Sequence, residues 1–495
     1  MNISLFLQMA ADADANRIGL VCDGRRWSYG TLLRAAQGAA TLIRESGCTH
    51  VSLLDESSEA ATIALFGAAL AGIPYVPLNY RLADEDLAGL LHRIAPAFIV
   101  GDTGRVERLA REDGHTVHSR TDFVGKAERT AGLIEEGEED VAVQLFTSGT
   151  TAAPKAAILR HSNLVSYIVG SVEFGSATED EARLVSVPPY HIAGIASLLS
   201  TTYAMRKVVL LSAFDPDTWL AAVASEGVTS AFLVPTMLGR IIARLDAGAN
   251  AELSSLRSIA YGGGPMPREL IDRALDLFPN VDFANSYGLT ETSSTVAILG
   301  PEEHREAHRS SDPKVRARLA SVGRPLPTVE IEIRDEEGRP LPAGERGEVY
   351  VRGDQVSGEY RERSALDAQG WFPTRDAGYM DEEGYLFLAG RADDVICRGG
   401  ENMSPGEIED VLLTHPAIAD AAAVAVPSLE WGETVGVAIV VRAGQQPPSD
   451  EEVKKLIKDR LRSSRVPERV LVLDALPYNE MGKLLRREVR NLFKG

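Results

Sequence analysis

Short apolar runs alternate with longer helical patterns through the first part of the chain. Runs at residues 51–54, 74–76 and 97–100 predict strands, and the stretches 60–71 and 87–94 predict helices between them. Strand and helix alternating at this interval indicate βαβ units and a parallel sheet. Further apolar runs continue the pattern at residues 141–145, 184–187, 207–212, 230–234 and 259–261.

The pattern changes from about residue 322. Residues 330–333 and 348–351 alternate polar and apolar positions between Gly/Pro turns, which predicts an antiparallel, barrel-like β region. A last part combines two helical stretches with three apolar runs, at residues 407–413, 451–461, 421–426, 435–441 and 469–473. We therefore predict an α/β protein. A large N-terminal domain of parallel α/β sheets plus the barrel-like region spans 1–392, and a small α+β domain spans 393–495.

The length, net charge and cysteine content of the chain exclude several classes of function. A chain of 495 residues is too long for one compact core, so it predicts at least two domains. Its net charge of −20 disfavours nucleic acids as partners, and a phosphate ligand would need a local basic site. Three widely spaced cysteines form neither a disulfide framework nor a zinc set. The apolar start at residues 1–7 lacks the basic flank of a signal peptide and predicts an amphipathic helix. Because the sequence predicts no integral membrane segment, we expect a cytoplasmic protein.

A loop rich in hydroxyls follows the apolar run 141–145. We expect this loop to join a strand to a helix capped by Ser162 or Asn163. Backbone N–H groups, hydroxyls and an ammonium can converge there on a polyphosphate. A Ser/Thr-rich turn is the alternative. The candidate residues are Thr147, Ser148, Gly149, Thr150, Thr151 and Lys155.

Two further stretches carry groups suited to a nucleotide. The glycines Gly262, Gly263 and Gly264 follow a strand and would let a flat group lie against the backbone, although a tight turn explains them equally well. About twenty residues later come an aromatic ring, a hydroxyl and a carboxylate suited to Mg²⁺, or simply a capped helix start. These residues are Asn285, Tyr287, Gly288, Thr290 and Glu291.

Three charged residues complete the candidates. Asp376 has a carboxylate that can accept two hydrogen bonds from ribose hydroxyls. Arg391 lies at the predicted domain junction, and Lys483 lies on a glycine-containing turn near the C-terminus. Taken singly, Asp376 and Lys483 could each be an ordinary solvated side chain.

Taken together and in this order, these stretches resemble the adenylate-forming superfamily, which includes acyl-CoA synthetases, firefly luciferase and peptide-synthetase adenylation domains. The resemblance covers nearly the whole chain. Residues 147–156 resemble the family's phosphate loop T-S-G-T-T-G-x-P-K-G with two changes, and residues 371–376 resemble W-x-x-T-G-D with one. Residues 287–291, 390–394 and 477–483 match Y-G-x-T-E, G-R-x-D-D and P-x-x-x-x-G-K.

The resemblance implies an acid–thiol ligase that uses ATP and Mg²⁺. A carboxylate attacks the α-phosphate of ATP to give acyl-AMP and pyrophosphate, and a thiol then displaces AMP. The phosphate-loop residues would hold the β- and γ-phosphates, the glycines and Tyr287 would flank adenine, and Asp376 and Arg391 would hold the ribose. Thr290 would contact the α-phosphate and Glu291 would hold Mg²⁺. Lys483 would reach the reacting carboxylate, and Asp393 would be the hinge of a mobile C-terminal domain.

The chain departs from the family pattern at three positions. Ala152 and Ala156 replace glycines of the phosphate loop, which narrows the backbone torsions and would reduce loop mobility. Arg375 replaces the glycine before the ribose-binding aspartate and places a cation beside the nucleotide, with its direction left open.

The acceptor thiol is indicated by the segment around residue 400. Residues 398–409 resemble the R-G-G-E-N segment of fatty and aryl acyl-CoA synthetases, whose glycines border the pantetheine channel. Arg398, Gly399, Gly400 and Glu401 are therefore expected at a CoA channel. A ligase that loads a separate carrier protein through its phosphopantetheine is the alternative. A monomer and a homodimer both remain open.

Residues 188–194 resemble the P-x-x-H-x-x-G stretch that lines the family's acid pocket. An aspartate that would pair with an amino-acid ammonium is missing there, so we expect a fatty or aryl acid. His191 would gate the pocket or merely pack. The expected pocket residues are His191, Ala193, Gly194, Phe232, Val234, Tyr261 and Val296. A catalytically inactive binding protein is the hypothesis from a different class, and the intact Lys483, Glu291 and Asp376 argue against it.

Overall fold

The computed structural model describes residues 1–132, 137, 139–147, 154–249, 251–391, 394, 396–398, 401–428, 431–479, 482 and 484–494, with the backbone alone at 391, 401 and 402. The helices are α1 (Ser4–Ala13), α2 (Tyr29–Ser46), α3 (Glu59–Ala71), α4 (Asp84–Arg93), α5 (Thr103–Ala110), α6 (Arg120–Arg129), α7 (His161–Ser171), α8 (Ile192–Tyr203), α9 (Pro216–Glu226), α10 (Pro235–Asp246), α11 (Arg268–Leu277), α12 (Pro301–Arg309), α13 (Pro313–Ala317), α14 (Pro405–Leu413), α15 (Asp450–Arg460) and α16 (Arg486–Leu492).

The strands up to residue 325 are β1 (Ile18–Cys22), β2 (Arg25–Ser28), β3 (His50–Leu54), β4 (Ala97–Gly101), β5 (Thr116–His118), β6 (Val141–Thr147), β7 (Lys155–Arg160), β8 (Ala182–Val185), β9 (Lys207–Leu210), β10 (Ser230–Leu233), β11 (Ser258–Gly262), β12 (Asp282–Leu289), β13 (Ser294–Leu299) and β14 (Arg324–Pro325). The later strands are β15 (Glu330–Arg334), β16 (Gly347–Arg352), β17 (Glu359–Tyr360), β18 (Arg363–Ser364), β19 (Phe372–Met380), β20 (Leu386–Arg391), β21 (Ile396–Arg398), β22 (Glu401–Met403), β23 (Ile418–Ser428), β24 (Gly432–Val441) and β25 (Arg469–Leu473).

The largest sheet has nine strands in the order β14-β13-β12-β11-β10-β8-β9-β1-β2. Its central strands, β12, β11, β10, β8, β9 and β1, run parallel. On one face the core includes Trp219, Leu238 and Ile271 from α9, α10 and α11. On the other face Val185 and Val208 pack in one core with Leu199 of α8. A parallel sheet with helices on both faces confirms the predicted α/β class.

Tyr75 joins two smaller groups of strands into a second sheet. It forms parallel bridges to Val51 in β3 and to Val143 in β6. The strand predicted at 74–76 is therefore reduced to this bridge. The resulting order is β18-β17-β7-β6, Tyr75, β3-β4-β5.

The segment after the predicted phosphate loop differs from expectation. Residues Lys155–Arg160 form β7, which pairs antiparallel with β6. The loop therefore joins two strands of a hairpin, and the expected strand-to-helix connection was wrong. The N-cap of α7 is Arg160, whose backbone N–H donates to Asn163 Oδ1 at 3.1 Å. The predicted caps Ser162 and Asn163 therefore lie two and three residues too late.

The rest of the chain forms two separate sheets. Strands β15, β16, β19 and β20 form a four-stranded antiparallel sheet in the region predicted to be antiparallel. Strands β21 to β25 form a sheet of their own, covered by α14 and α15 through Ile408 and Ile457. Within the described part of the chain, no helix is long and apolar enough to cross a membrane.

Candidate active site

The ends of the predicted phosphate loop face each other across the β6–β7 hairpin. Thr147 and Lys155 are register partners, and the Thr147 hydroxyl donates to the Lys155 carbonyl at 3.5 Å. The predicted loop residues Ser148, Gly149, Thr150 and Thr151, and the replacement Ala152, lie outside the described residues.

Ala156 lies inside β7 opposite Phe146 and is fully buried. An extended strand accepts any residue with a Cβ, so the methyl group imposes no torsional restriction here. The expectation that Ala156 reduces loop mobility is therefore corrected.

Tyr360 is a site residue that sequence reasoning missed. Strand β17 pairs with β7 and sets Tyr360 opposite Ala157. The Tyr360 hydroxyl donates to Glu291 Oε1 at 2.7 Å, and the Lys155 ammonium lies 5.5 Å from the centroid of the same ring. One aromatic side chain thus connects the predicted phosphate-binding lysine with the predicted metal ligand.

Glu291 is held in a single 3₁₀ turn, Thr290–Thr292, directly after β12. Its carbonyl accepts hydrogen bonds from the backbone N–H groups of Ser357 at 2.9 Å and Gly358 at 3.2 Å. The side chain is buried, and among the described residues only Tyr360 donates to its carboxylate. Carboxylate oxygens are the hard ligands that Mg²⁺ prefers, so Glu291 fits the predicted metal ligand.

The predicted adenine and ribose residues meet at the end of β12. The Tyr287 hydroxyl donates to Asp376 Oδ2 at 2.6 Å. Asp376 is the register partner of Arg391 across the β19–β20 pair, so the two predicted ribose residues are neighbours. The side chain of Arg391 lies outside the described residues.

Arg375 points away from this cluster. Its side chain is 65% exposed and its Nε lies 3.8 Å from Glu348 Oε1. Its φ of 63° is the left-handed conformation that the family's glycine would adopt without strain. The side chain therefore faces solvent, while the backbone keeps the glycine-type geometry.

The glycine positions are shaped by close backbone contacts. A Cβ on Gly262 would lie 2.2 Å from the Ser286 carbonyl, and a Cβ on Gly288 would lie 1.7 Å from the Ser294 carbonyl. Gly263 has a φ of 79° and is exposed, and Gly264 follows it in the turn before α11. Asn285 donates from Nδ2 to the Ser321 carbonyl at 3.1 Å and so fixes the strand beside the turn.

The C-terminal turn lies against the large domain at the end of β10. Gly482 approaches Thr236 so closely that a Cβ would lie 2.1 Å from Thr236 Oγ1. Thr236 belongs to the first turn of α10, which begins directly after Val234. The predicted catalytic Lys483 and the predicted hinge Asp393 lie outside the described residues.

Arg398 is occupied within the C-terminal part. It donates to the carbonyls of Ser464 at 3.0 Å and Val466 at 3.2 Å, and it pairs with Glu468 at 2.9 Å. These contacts hold the side chain of Arg398, the arginine predicted at the CoA channel, against the C-terminal part of the chain. Gly399 and Gly400 lie outside the described residues, as does the side chain of Glu401.

The predicted acid-pocket residues occupy different places. Leu233 is the register partner of Tyr261, and both lie in the core beneath α9 to α11. Phe232, one residue before Leu233, points to the opposite face of the sheet. Tyr261 is fully buried and shares a 2.8 Å hydrogen bond with His304 Nε2. The structure therefore does not bring Tyr261 and Phe232 to one cavity.

The remaining pocket candidates border the site or a core. Val234 is buried, and Cγ1 lies 3.5 Å from a Cβ position on Gly263. Val296 is fully buried in one cluster with Tyr287. His191 is the N-cap of α8, and its ring centroid lies 4.7 Å from that of Tyr190. Ala193 and Gly194 form the first turn of that helix, where a Cβ on Gly194 would lie 2.9 Å from the Pro188 carbonyl.

Comparison with known proteins gives the family. Residues 7–361 match the family model of the AMP-binding enzymes, and residues 407–483 match that of the AMP-binding enzyme C-terminal domain. The chain is 33% identical to a feruloyl-CoA synthase of an Amycolatopsis species, covering 98% of this chain and 97% of the relative. It is 31% identical to the fatty acid–[acyl-carrier-protein] ligase ScoC of Streptomyces coeruleorubidus, covering 96% and 93%.

A solved structure supports the same assignment. The chain superposes on the O-succinylbenzoate coenzyme A synthetase of Bacillus subtilis in complex with ATP and magnesium with a TM-score of 0.83. The identity is 28%, and 99% of each chain is covered. The fold and the nucleotide-type site define an adenylate-forming enzyme, and the predicted superfamily is confirmed. This chain belongs to the AMP-binding enzyme family.

Proposed function

We propose that this chain activates a carboxylic acid with ATP and transfers the acyl group to the thiol of CoA. The carboxylate attacks the α-phosphate, pyrophosphate leaves, and the acyl-AMP that remains loses AMP to the attacking thiol. The observation that carries this proposal is the link Lys155–Tyr360–Glu291 beside the pair Tyr287–Asp376. This arrangement supports the proposal because a lysine, a buried carboxylate and a tyrosine–aspartate pair lie together around one end of β12.

The roles of the described residues follow from their positions. Lys155, at the base of the hairpin loop, would neutralise the leaving pyrophosphate, and Thr290 would donate to the α-phosphate. Oδ2 of Asp376 accepts a hydrogen bond from Tyr287, which would orient the carboxylate to accept from a ribose hydroxyl. Positioned charges of this kind stabilise the transition state because negative charge builds up on the phosphate oxygens.

Mg²⁺ would be held by Glu291, and when bound it neutralises the phosphate charge and orients the α-phosphate for attack. The chain's own contribution is to hold the carboxylate in place. The hydrogen bonds to the Glu291 carbonyl and carboxylate fix both ends of the residue.

The proposed roles of Lys483 and Asp393 are supported by the positions of residues next to them in sequence. Gly482 lies at the N-terminus of α10, beside the glycine turn, which supports a Lys483 that reaches the reacting carboxylate. Strands β21 to β25 pair only with one another within the described part of the chain, which supports a separate domain from residue 393. After acyl-AMP has formed, this domain would rotate about Asp393. The rotation would withdraw Lys483 from the reacting carboxylate and bring the thiol channel to the acyl-AMP for the second step.

CoA is the favoured acceptor, and a separate carrier protein is the second candidate. The feruloyl-CoA synthase relative matches the chain almost end to end and supports CoA. The ScoC relative supports a carrier, but the net charge of −20 would repel an acidic carrier protein during its approach.

The proposal is tested by measuring ATP–pyrophosphate exchange over a panel of carboxylic acids and analysing products by mass spectrometry. The productive acid is then incubated with ATP and either CoA or a phosphopantetheine-loaded carrier protein. Acid-dependent exchange and an acyl-CoA product are expected. Acid-dependent exchange followed by formation of an acylated carrier protein, and not of acyl-CoA, would favour the second candidate. ATP binding without exchange for any acid would indicate an inactive binding protein.

A further inference from the structure

The face of the large sheet beneath α7 and α8 is lined by small side chains at its centre. Since side chains alternate along a strand, Ala260 and Gly262 of β11 share the face of Phe232. Their partners on β12 are Ala284 and Ser286. The opposite face of the same strands carries the large residues Leu233, Ile259, Tyr261 and Phe283.

This small-residue face is also incompletely covered. Phe232, Ala260, Ala284 and Ser286 all keep partial exposure, although they lie on central strands of a nine-stranded sheet with helices on both faces. Central strands are normally buried on both faces. These four positions leave a strip of this face open, which crosses the sheet from Phe232 on β10 to Ser286 on β12 beside the glycine turn.

A cation lies along this face on the neighbouring strand. Arg183 of β8 is the register partner of Ser230 in β10, and it alternates with the core residues Ala182 and Leu184 on the other side. Its Nε and the Ser230 hydroxyl are both buried without a hydrogen-bond partner. No carboxylate among the described residues pairs with this guanidinium.

The surroundings make this unpaired charge costly. Burial lowers the pKa of the Arg183 guanidinium to about 10, and repulsion from Arg206 acts in the same direction. Arg206 is itself neutralised by Glu181 at 2.7 Å, which leaves Arg183 as the uncompensated cation. The residue keeps partial exposure, so its guanidinium retains part of its hydration but lacks the partner that a largely buried charge normally has.

Arg183 and the glycine turn lie at opposite ends of this face along the strand direction. Arg183 lies level with Ser230, and Ser230 lies level with Ser258. Gly262 comes four residues later on β11, which corresponds to roughly 13 Å along the strand. The Tyr167 hydroxyl, which donates to Thr295 Oγ1 at 3.4 Å, adds a polar group from α7 over the same face.

We propose that the substrate is a dicarboxylic acid that binds along this face, with one carboxylate at the glycine turn and the second paired with Arg183. The inference rests on the proposed function, because the first carboxylate is the one that ATP activates. An arginine offers a carboxylate two parallel hydrogen bonds, and the unpartnered Nε is available for one of them. The second carboxylate thereby removes the unpaired charge that the free protein carries.

The test compares matched linear acids in ATP–pyrophosphate exchange: hexanoate with adipate, octanoate with suberate and decanoate with sebacate. The wild-type protein is expected to favour the diacid of at least one pair by about a hundredfold in kcat/KM, since a site built for a polar group rejects an analogue that lacks it. In Arg183→Met this preference should vanish through a higher KM for the diacid, while exchange with the monoacid remains.

Arg206→Met is the matched control, because it removes a nearby arginine that already has a partner. It should keep the diacid preference. A binding readout guards against a folding defect: the favoured diacid should raise the Tm of the wild type and of Arg206→Met, but not that of Arg183→Met. Unliganded Arg183→Met should itself melt at or above the wild-type temperature.

The outcomes separate the two proposals. Exchange with monoacids at least as good as with their diacids, or a diacid preference that survives in Arg183→Met, would overturn the inference and leave the proposed function intact. Absence of exchange with every acid in an ATP-binding protein would contradict the proposed function itself, and the inference would fall with it.

Discussion

Tyr360 donates a hydrogen bond to the buried carboxylate of Glu291 at 2.7 Å. The two residues are far apart in sequence, and their contact depends on the pairing of β17 with β7. Because Lys155 lies over the same ring, the contact couples the base of the phosphate loop to the proposed metal ligand.

Replacing Tyr360 by Phe keeps the ring and removes the hydrogen bond. A hydrogen bond to a charged group contributes about 1.5–3 kcal/mol. We therefore expect Tyr360→Phe to raise the Mg²⁺ concentration for half-maximal exchange by roughly 10- to 100-fold. Tyr379→Phe is the control, since Tyr379 stacks on Phe387 away from the site. An unchanged Mg²⁺ requirement in Tyr360→Phe would argue that Glu291 does not hold the metal.

Tyr287 orients the proposed ribose acceptor. Tyr287→Phe keeps an aromatic ring for adenine but removes one hydrogen bond that orients Asp376, so we expect the KM for ATP to rise about five- to tenfold with little change in kcat. The measurement is the ATP dependence of exchange. Tyr385→Phe removes another tyrosine–carboxylate bond, to Glu303 at 3.1 Å, and should leave the KM for ATP unchanged. Equal effects of both changes would refute the assignment.

Arg375 carries backbone strain that glycine would relieve. A residue with a Cβ in the left-handed region costs about 1 kcal/mol. We expect Arg375→Gly to raise the free energy of unfolding by about that amount, while exchange is unchanged because the side chain faces solvent. Arg375→Ala keeps the Cβ and should show no such gain. The measurement is the free energy of unfolding of the wild type, Arg375→Gly and Arg375→Ala by chemical denaturation. A lower free energy of unfolding in Arg375→Gly would contradict the proposed backbone strain.

His304 makes stability depend on pH. Its Nδ1–H donates to the Gly300 carbonyl, and its Nε2 accepts from Tyr261. Burial lowers the pKa of this imidazole below its ordinary value of 6.5, so the unfolded chain binds the proton more readily. The contribution is complete above pH 6.5 and is lost as the pH falls below that value.

The measurement is the free energy of unfolding of the wild type and of His304→Gln as a function of pH. The difference between them should shrink on acidification by at most about 1.4 kcal/mol per pH unit. A difference that stays constant, or grows, below pH 6.5 would contradict the proposed protonation state of His304.

Local pattern was sufficient for the elements with strong periodicity. The helix expected at 60–71 is α3, and the strand expected at 97–100 is β4. The hydroxyl-rich loop was misassigned because a short strand after Pro154 gains its hydrogen bonds from β6 and β17, which a local pattern does not contain. The same reason hides Tyr360, a two-residue strand partner distant in sequence.

The sequence predicted which residues belong to the site, but only partly how those residues are arranged in space. Resemblance located Tyr287, Glu291 and Asp376, which the structure brings together at the end of β12. It could not separate Phe232 from Tyr261, because the face on which a strand residue lies follows from its register. It also gave no sign of Arg183, whose importance comes from the absence of a partner among the described residues.

The most direct test of the central claim measures both half-reactions in Lys483→Ala. We expect acid-dependent ATP–pyrophosphate exchange to be nearly abolished in this variant, while thioester formation from preformed acyl-AMP and CoA is largely retained. The distinction arises because a lysine at the reacting carboxylate acts only while the acid is being activated. Exchange at the wild-type rate in Lys483→Ala would contradict the account.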